Sequence, residues 1–292
     1  MKNGHSLLFL DAMQAFYGPL DCLPVPDGSI HRFHVPGDKP GSTNGWYVLF
    51  VDRIAAGCFG SWKAGGVYKW RSRKPFNHLE AQMIAQRFKQ ARQLREGELR
   101  KRQRAATVEA MRLWNAGAPA DPDHPYLTRK GTKPYILRQR GDVLLVPLCL
   151  NRQLVSLQRI YPNGGKSFLR GGMFKGCYSP LGIITAGQPL YYCEGWATGA
   201  TIHAETGAAV ACAMNAGNLL GVGQRLQRQH SDAVLIVAGD DDRQTEGNPG
   251  RTAATMAAAT LGCGLIFPPW SGDEPLELSD FNDLHQWRKA NA

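Results

Sequence analysis

Over the last hundred residues, short apolar runs alternate with stretches of mixed polarity. "LYYCEG", "AAVACAM", "AVLIVAGD" and "CGLIFPP" are apolar nearly throughout, and each reads as a strand. Between them, "ATGATIHAET", "LLGVGQRLQRQH" and "NPGRTAATMAAATLG" read as helices, the last with Asn248 as N-cap and Pro249 in its first turn. "DFNDLHQWRKA" closes the chain as another helix. Strands without a polar face need cover on both sides. The alternation therefore predicts an α/β fold over residues 189–292, a parallel sheet with helices on both faces.

Upstream the pattern is less regular. "HSLLFLDAMQAFYG" predicts an amphipathic helix. Residues 20–75 are rich in Gly, Pro and aromatics. "WYVLFVD" and "VYKWRSR" alternate as short strands do, with turn chemistry in "GDKPGSTNG". A long helix is predicted from an Asn77 cap to a stop at Gly117, and "APADPDHP" follows as a linker. "DVLLVPLC" and "LVSLQRIY" are strands of a mixed segment with Gly-rich turns in "PNGGKSFLRGGMFKG". The expected divisions are a small β-rich module (1–76), a basic helical segment with linker (77–124), a basic α/β subdomain (125–188) and the α/β domain (189–292).

Charge changes the picture. The 292 residues carry a net charge of +10, which points to a polyanionic partner. Eight basic residues fall between Arg87 and Arg104. The common use of such a run is a solvated helix face. The overall excess tilts the reading towards phosphate contact, with Arg100, Lys101, Arg102, Arg104, Arg138 and Arg140 as candidates for nucleic-acid binding. No apolar run is long enough to span a bilayer, and the N-terminus lacks a cleavable-signal pattern, so a cytoplasmic protein without a membrane partner is expected. The seven scattered cysteines, none in a C-x-x-C pair, read as reduced buried thiols.

The chemistry gathers at strand ends, where parallel sheets collect functional groups. Glu194 follows one strand. Asp240, Asp241 and Asp242 follow another, and Asp280 and Asp283 lie beyond a third. Alternation turns Asp240 and Asp242 to one side and Asp241 to the other. Asp241 is thus expected to tolerate Asn, while Asp240 and Asp242 are not. An acidic loop or helix cap would account for one such cluster alone. Three clusters on one sheet edge of a basic protein favour a hard divalent cation, Mg²⁺ or Mn²⁺.

These motifs resemble a known family. "CEGWATGA", "MNAGNL", "IVAGDDD…GRTAA" and "SDFNDL" are similar to the Toprim domain of topoisomerases and DnaG-type primases, with Glu194-Gly195 and Asp240-x-Asp242 as its hallmarks. Upstream, "LLVPLCLNRQLVSLQRIYPNGGKSFLRGGMFKGCYSPLG" resembles the basic half of the primase core. The resemblance implies Glu194, Asp240 and Asp242 as catalytic and metal-binding residues, with Asp280 and Asp283 in the third acidic position. It implies nucleotide or template contacts for Arg159, Lys166, Lys175, Asn215 and Arg251, the first three facing the acidic site. Thr198 stands where replicative primases carry Asp.

Bacterial primases begin with a zinc ribbon. Here His31, His34, Cys58 and Ser61 occupy similar places, and Ser61 is a poor zinc ligand. A zinc-free module held by Trp46, Tyr47, Phe59, Trp62 and Trp70 is expected, as in primases of plasmids, phages and integrated elements. The implied activity is RNA primer synthesis on single-stranded DNA from NTPs. The rivals are a Toprim nuclease and a non-catalytic binding module for single-stranded nucleic acid. No G-x-x-x-x-G-K-[ST] phosphate loop occurs, so a separate helicase is the expected partner.

Overall fold

Two-sided burial explains the first part of the chain. The computed structural model describes residues 2–292 and divides into two units, one ending at Lys101 and one running from Arg102 to Ala292. The first holds α1 (Lys2–Tyr17) and an antiparallel sheet in chain order: β1 (His31–Phe33), β2 (Gly45–Phe50), β3 (Ala56–Ser61) and β4 (Gly65–Arg71). Tyr47, Leu49 and Phe59 face Phe9 and Met13 of α1. Trp46, Val48 and Cys58 face the other way, with Ala91 and Phe88 of α2 (His78–Asn115). β2 and β3 are therefore buried along their whole length, not on alternate residues.

Asn77 caps α2 as expected, its Oδ1 accepting from the Glu80 amide at 2.9 Å. The helix serves two cores, because its apolar residues change partners along its length. Past Lys101, Ala106, Ala110 and Leu113 pack with Leu145, Leu157 and Leu169 of the second unit. The compact boundary accordingly falls inside α2, not at 76/77.

The histidines and Cys58 of the first unit do not converge. His31 pairs in register with Tyr47 and stacks on its ring, with Nε2 2.9 Å from Asp27. Cys58 lies on the opposite face, where burial pushes its thiol up to about 11. His34 Nδ1 is 2.9 Å from the Ser42 carbonyl, and Ser61 Oγ accepts from the amides of Lys63 and Ala64.

The second unit carries two sheets. One is antiparallel, in chain order, from β5 (Ala118–Pro119) through β6 (Arg138–Arg140), β7 (Val143–Leu150) and β8 (Gln153–Ile160) to β9 (Lys166–Phe168). The short helix α3 (Pro125–Lys130) lies between β5 and β6. The other sheet contains β10 (Ser179–Leu181), β11 (Pro189–Cys193), β12 (Ala209–Cys212), β13 (Val234–Ala238) and β14 (Gly264–Ile266), ordered β10-β12-β11-β13-β14. β11 to β14 run parallel, and only β10 is antiparallel. β10 lies before residue 189, so the expected boundary there cuts through one sheet.

Helices cover both faces of this second sheet. Trp196, Ala200 and Ile202 of α4 (Trp196–Thr206) share one core with Leu144, Val146, Leu148 and Ile160 of the antiparallel sheet. Leu219, Val222 and Leu226 of α5 (Leu219–Gln229) and Ala254 and Ala257 of α6 (Pro249–Leu261) fill the opposite core. α7 (Phe281–Ala290) closes the chain against α4. Among the described residues no helix is long and apolar enough to cross a membrane.

Candidate active site

The central strands β11 and β13 run side by side with Cys193 opposite Ala238. Glu194 and Asp240 therefore emerge together at their carboxyl ends. Burial comes first in raising the pKa of Glu194, followed by the charge of Asp242, while an amide from Ala216 and the charge of Lys166 oppose it. Asp240 is pushed up to about 8 by burial and then by Asp280, Glu194, Asp242 and Asp283. Its Oδ1 is buried without a hydrogen-bond partner. This is crowded negative charge with an oxygen to spare.

Asp242 is held from the helix side. Its amide donates to Asn248 Oδ1 at 2.9 Å, and its Oδ2 accepts from the Gly250 amide at 2.8 Å. A side chain at position 250 would collide with that carboxylate and with the Asp240 carbonyl, so glycine is required there. Asp280 caps α7, its Oδ1 accepting from the Asp283 amide at 2.8 Å. Thr198 donates to its other oxygen at 3.0 Å. Burial and then the Asp283 charge push Asp280 up. Asp283 itself accepts from Lys130 Nζ at 3.0 Å.

Lys166 faces this cluster from the neighbouring sheet. It pairs in register with Ile160, whose side chain lies in the core shared with α4. The protein around it, and then the like charge of Lys130, lower its pKa, while Asp280, Glu194 and Asp240 work the other way. Its ammonium stands 6.0 Å from the centre of the Tyr126 ring. Asn215 lies in the loop after β12, with its Oδ1 buried and unpartnered. Lys175 is exposed in the turn before β10.

Arg159 is a correction. It pairs with Leu145, which packs against α2, and its charge is felt by Glu109 on that helix. Strand alternation puts it on the face opposite Lys166, away from the carboxylates. Arg138 also has a structural use: it donates to the Trp114 carbonyl at 2.7 Å at the end of α2 and covers the Trp114 ring. Arg140 shares the Glu109 side, and Arg100, Lys101, Arg102 and Arg104 lie along α2.

Asp241 does turn away from the carboxylate cluster, but not to solvent. It is 4 % exposed and accepts from Arg251 through both oxygens, from Trp270 and from Asn248. The Arg251 bond leads the causes holding its carboxyl well below the usual range. These bonds run against the expectation that Asp241 tolerates Asn. Arg251 has its Nε and Nη2 on Asp241 and its guanidinium over the Phe267 ring, rather than extended towards the carboxylate cluster.

Lys130 went unrecognised in the sequence. It ends a six-residue helix capped by His124 and stopped by Gly131 in the left-handed region, at φ 58°. A helix that short gives no periodic signal. The "TRK" triplet two residues beyond the linker was the available cue.

Among the described residues, no three His, Cys, Asp or Glu side chains form a ready cage for a metal ion. The donor set nevertheless fits a hard cation of the Mg²⁺ kind. Such an ion keeps several waters and takes one or two carboxylates plus substrate oxygens, and the orphaned Asp240 oxygen is available to it.

Residues 190–290 match the Toprim domain family. The chain is 32% identical over 274 residues to an Escherichia coli protein named "DNA primase TraC", covering 87% of this chain and 25% of that protein. A second Escherichia coli protein of that name is 31% identical over 258 residues, covering 84% of this chain and 18% of the other. The chain thus spans a quarter or less of the length of these relatives. A crystal structure of the primase fragment of the bacteriophage T7 primase-helicase protein aligns with 89% of this chain and 96% of its own, at 14% identity and a TM-score of 0.45. The resemblance read from Glu194-Gly195 and Asp240-x-Asp242 is thus borne out: residues 190–290 are a Toprim domain in a mixed α/β chain similar to DNA primases.

Proposed function

We propose that this chain, with its Toprim domain, is a DNA primase that joins NTPs into short RNA primers on single-stranded DNA. The observation that carries the reading is the meeting of Glu194, Asp240, Asp242 and Asp280 with Lys166, a cation supplied by a different sheet. The likeness to DNA primases over most of the chain supports it.

Asp240 and Asp242 would hold Mg²⁺ or Mn²⁺, with Glu194 ligating or assisting. Bound there, a divalent cation stabilises charge on the oxygens of a phosphoryl group in transfer. The chain's own residues position the rest. Thr198 and the α7 cap fix Asp280, and Lys130 fixes Asp283. Lys166 binds triphosphate oxygens as they approach the carboxylates. Its lowered pKa reflects a low-dielectric setting in which each charge on a phosphate counts for more. No protein nucleophile is needed, since the attacking group is the 3′-hydroxyl of the growing primer.

A zinc-free first unit belongs, by resemblance, to primases serving plasmids, phages or other mobile elements in the cytoplasm. A helicase acting with it would lie outside these 292 residues, which contain no phosphate-loop motif. The test uses single-stranded DNA, labelled NTPs and Mg²⁺ or Mn²⁺. Primers made by the wild type but not by Asp240→Ala or Asp242→Ala support the proposal. Degraded template without primers would indicate a nuclease, and binding with neither product a non-catalytic module.

A further inference from the structure

In the first unit, a cavity of about 450 Å³ opens between the sheet and residues 85–96 of α2. Small-molecule sites span roughly 300–1,000 Å³. Its lining combines two chemistries. Trp46, Cys58 and Phe88 form an apolar floor, and Lys69, Lys89 and Arg95 stand around it. Arg92 at the rim is engaged by Glu96 at 2.9 Å. Lys69, Lys89 and Arg95 have no carboxylate within ion-pair distance among the described residues. The cavity is therefore a cationic pocket with an aromatic floor.

Two cations at this pocket sit on aromatic rings. The Arg95 guanidinium sits beside two indoles, 5.3 Å from the Trp46 ring centre and 5.2 Å from that of Trp62, the two centres being 5.9 Å apart. Cation–π contact uses none of the guanidinium N–H donors, which can still meet an acceptor. The Nε of Arg95 is buried without a partner, and so is Nε1 of Trp46. Lys69 reaches over the Phe88 ring at 5.3 Å, putting a cation beside a flat apolar surface.

We propose that this pocket binds a nucleoside phosphate, its base against the Trp46–Phe88 floor and its phosphate on Lys69, Lys89 and Arg95. A purely apolar ligand would leave three cations unanswered, and inorganic phosphate would leave the floor wet. The nucleotide arrives either free or as one unit of a single strand. The inference goes beyond the primase reading and does not depend on the chemistry at Asp240.

The experiment is equilibrium dialysis of the full chain against labelled ATP in EDTA, which removes the cation needed at the carboxylate site. Wild type should bind one equivalent. The Lys69→Glu/Lys89→Glu variant should bind more than about ten-fold more weakly. Both side chains are exposed, so the variant should melt like wild type. Lys166→Ala should bind like wild type. Unlabelled oligothymidylate then separates the sources: displacement of ATP identifies a strand-borne nucleotide, and retention identifies a free one. Absence of binding, equal binding by the double variant, or loss of binding in Lys166→Ala overturns the proposal. Primer synthesis with Mg²⁺ in the same preparations keeps the two readings separable. Primers without ATP binding in EDTA would leave the primase standing and remove this pocket.

Discussion

Arg251 sits on Asp241 through two parallel bonds, Nε to Oδ1 and Nη2 to Oδ2, each 2.9 Å long. The pair joins the start of α6 to the loop after β13, and Trp270 and Asn248 complete the carboxylate's partners. Asp241→Asn cannot accept from all of these donors at once, because its NH₂ replaces an acceptor. Arg251 is nearly half exposed, which lessens the loss. The expected cost is about 1–3 kcal/mol, read as a lower urea midpoint with an unchanged slope. A wild-type midpoint in Asp241→Asn would show that the pair adds nothing.

Asp240 gives a pH signature without a metal. Its folded pKa of about 8 lies far above the 3.8 of an unperturbed Asp. Between those values the folded state keeps a proton that the unfolded chain releases, so stability falls as pH rises through this range. A bound divalent cation competes with the proton and removes the repulsion. Mg²⁺ should therefore raise the melting temperature more at about pH 8.5 than at about pH 6. Asp240→Asn should flatten the metal-free slope. Equal Mg²⁺ effects at both pH values would count against Asp240 as a ligand.

The parallel domain was legible because its strands are apolar on both faces and its carboxylates end strands, features that sit in contiguous sequence. Asp241 shows the limit. Alternation gave its direction, but its partner Arg251 lies ten residues on, beyond an irregular turn. Arg159 failed differently. It sits seven residues before Lys166, and the turn between β8 and β9 resets which face each residue joins. Charge alone cannot report that parity. Likewise α2 reads as one basic helix, and only the sheets it packs on reveal two cores.

The parity of β8 and β9 makes a paired prediction. Lys166→Ala should lower kcat/KM for primer synthesis by about 100-fold or more, because it removes a cation at the developing phosphate charge. Arg159→Ala, on the α2 face, should stay within about three-fold of wild type. Steady-state kinetics with varied NTP separate the two. A loss in Arg159→Ala as large as that in Lys166→Ala would mean that Arg159 reaches the reacting groups.

Lys130 should act through the residue it holds. Its ammonium is 3.0 Å from Asp283 Oδ1, while the other carboxylate oxygen of Asp283 accepts from the Ser279 amide. Lys130 also opposes the upward push on Asp280. Lys130→Met keeps the bulk of the stem and deletes the charge, leaving only the Thr198 and Asp283 amide bonds to offset the repulsion of Asp280 by Asp283. Asp280 should then hold its proton to higher pH. Primer synthesis should fall by about ten-fold near neutral pH and recover in part as pH rises. Lys130→Arg, which retains the charge, should restore most of the wild-type profile. A pH-independent loss in Lys130→Met would instead assign Lys130 to direct substrate contact.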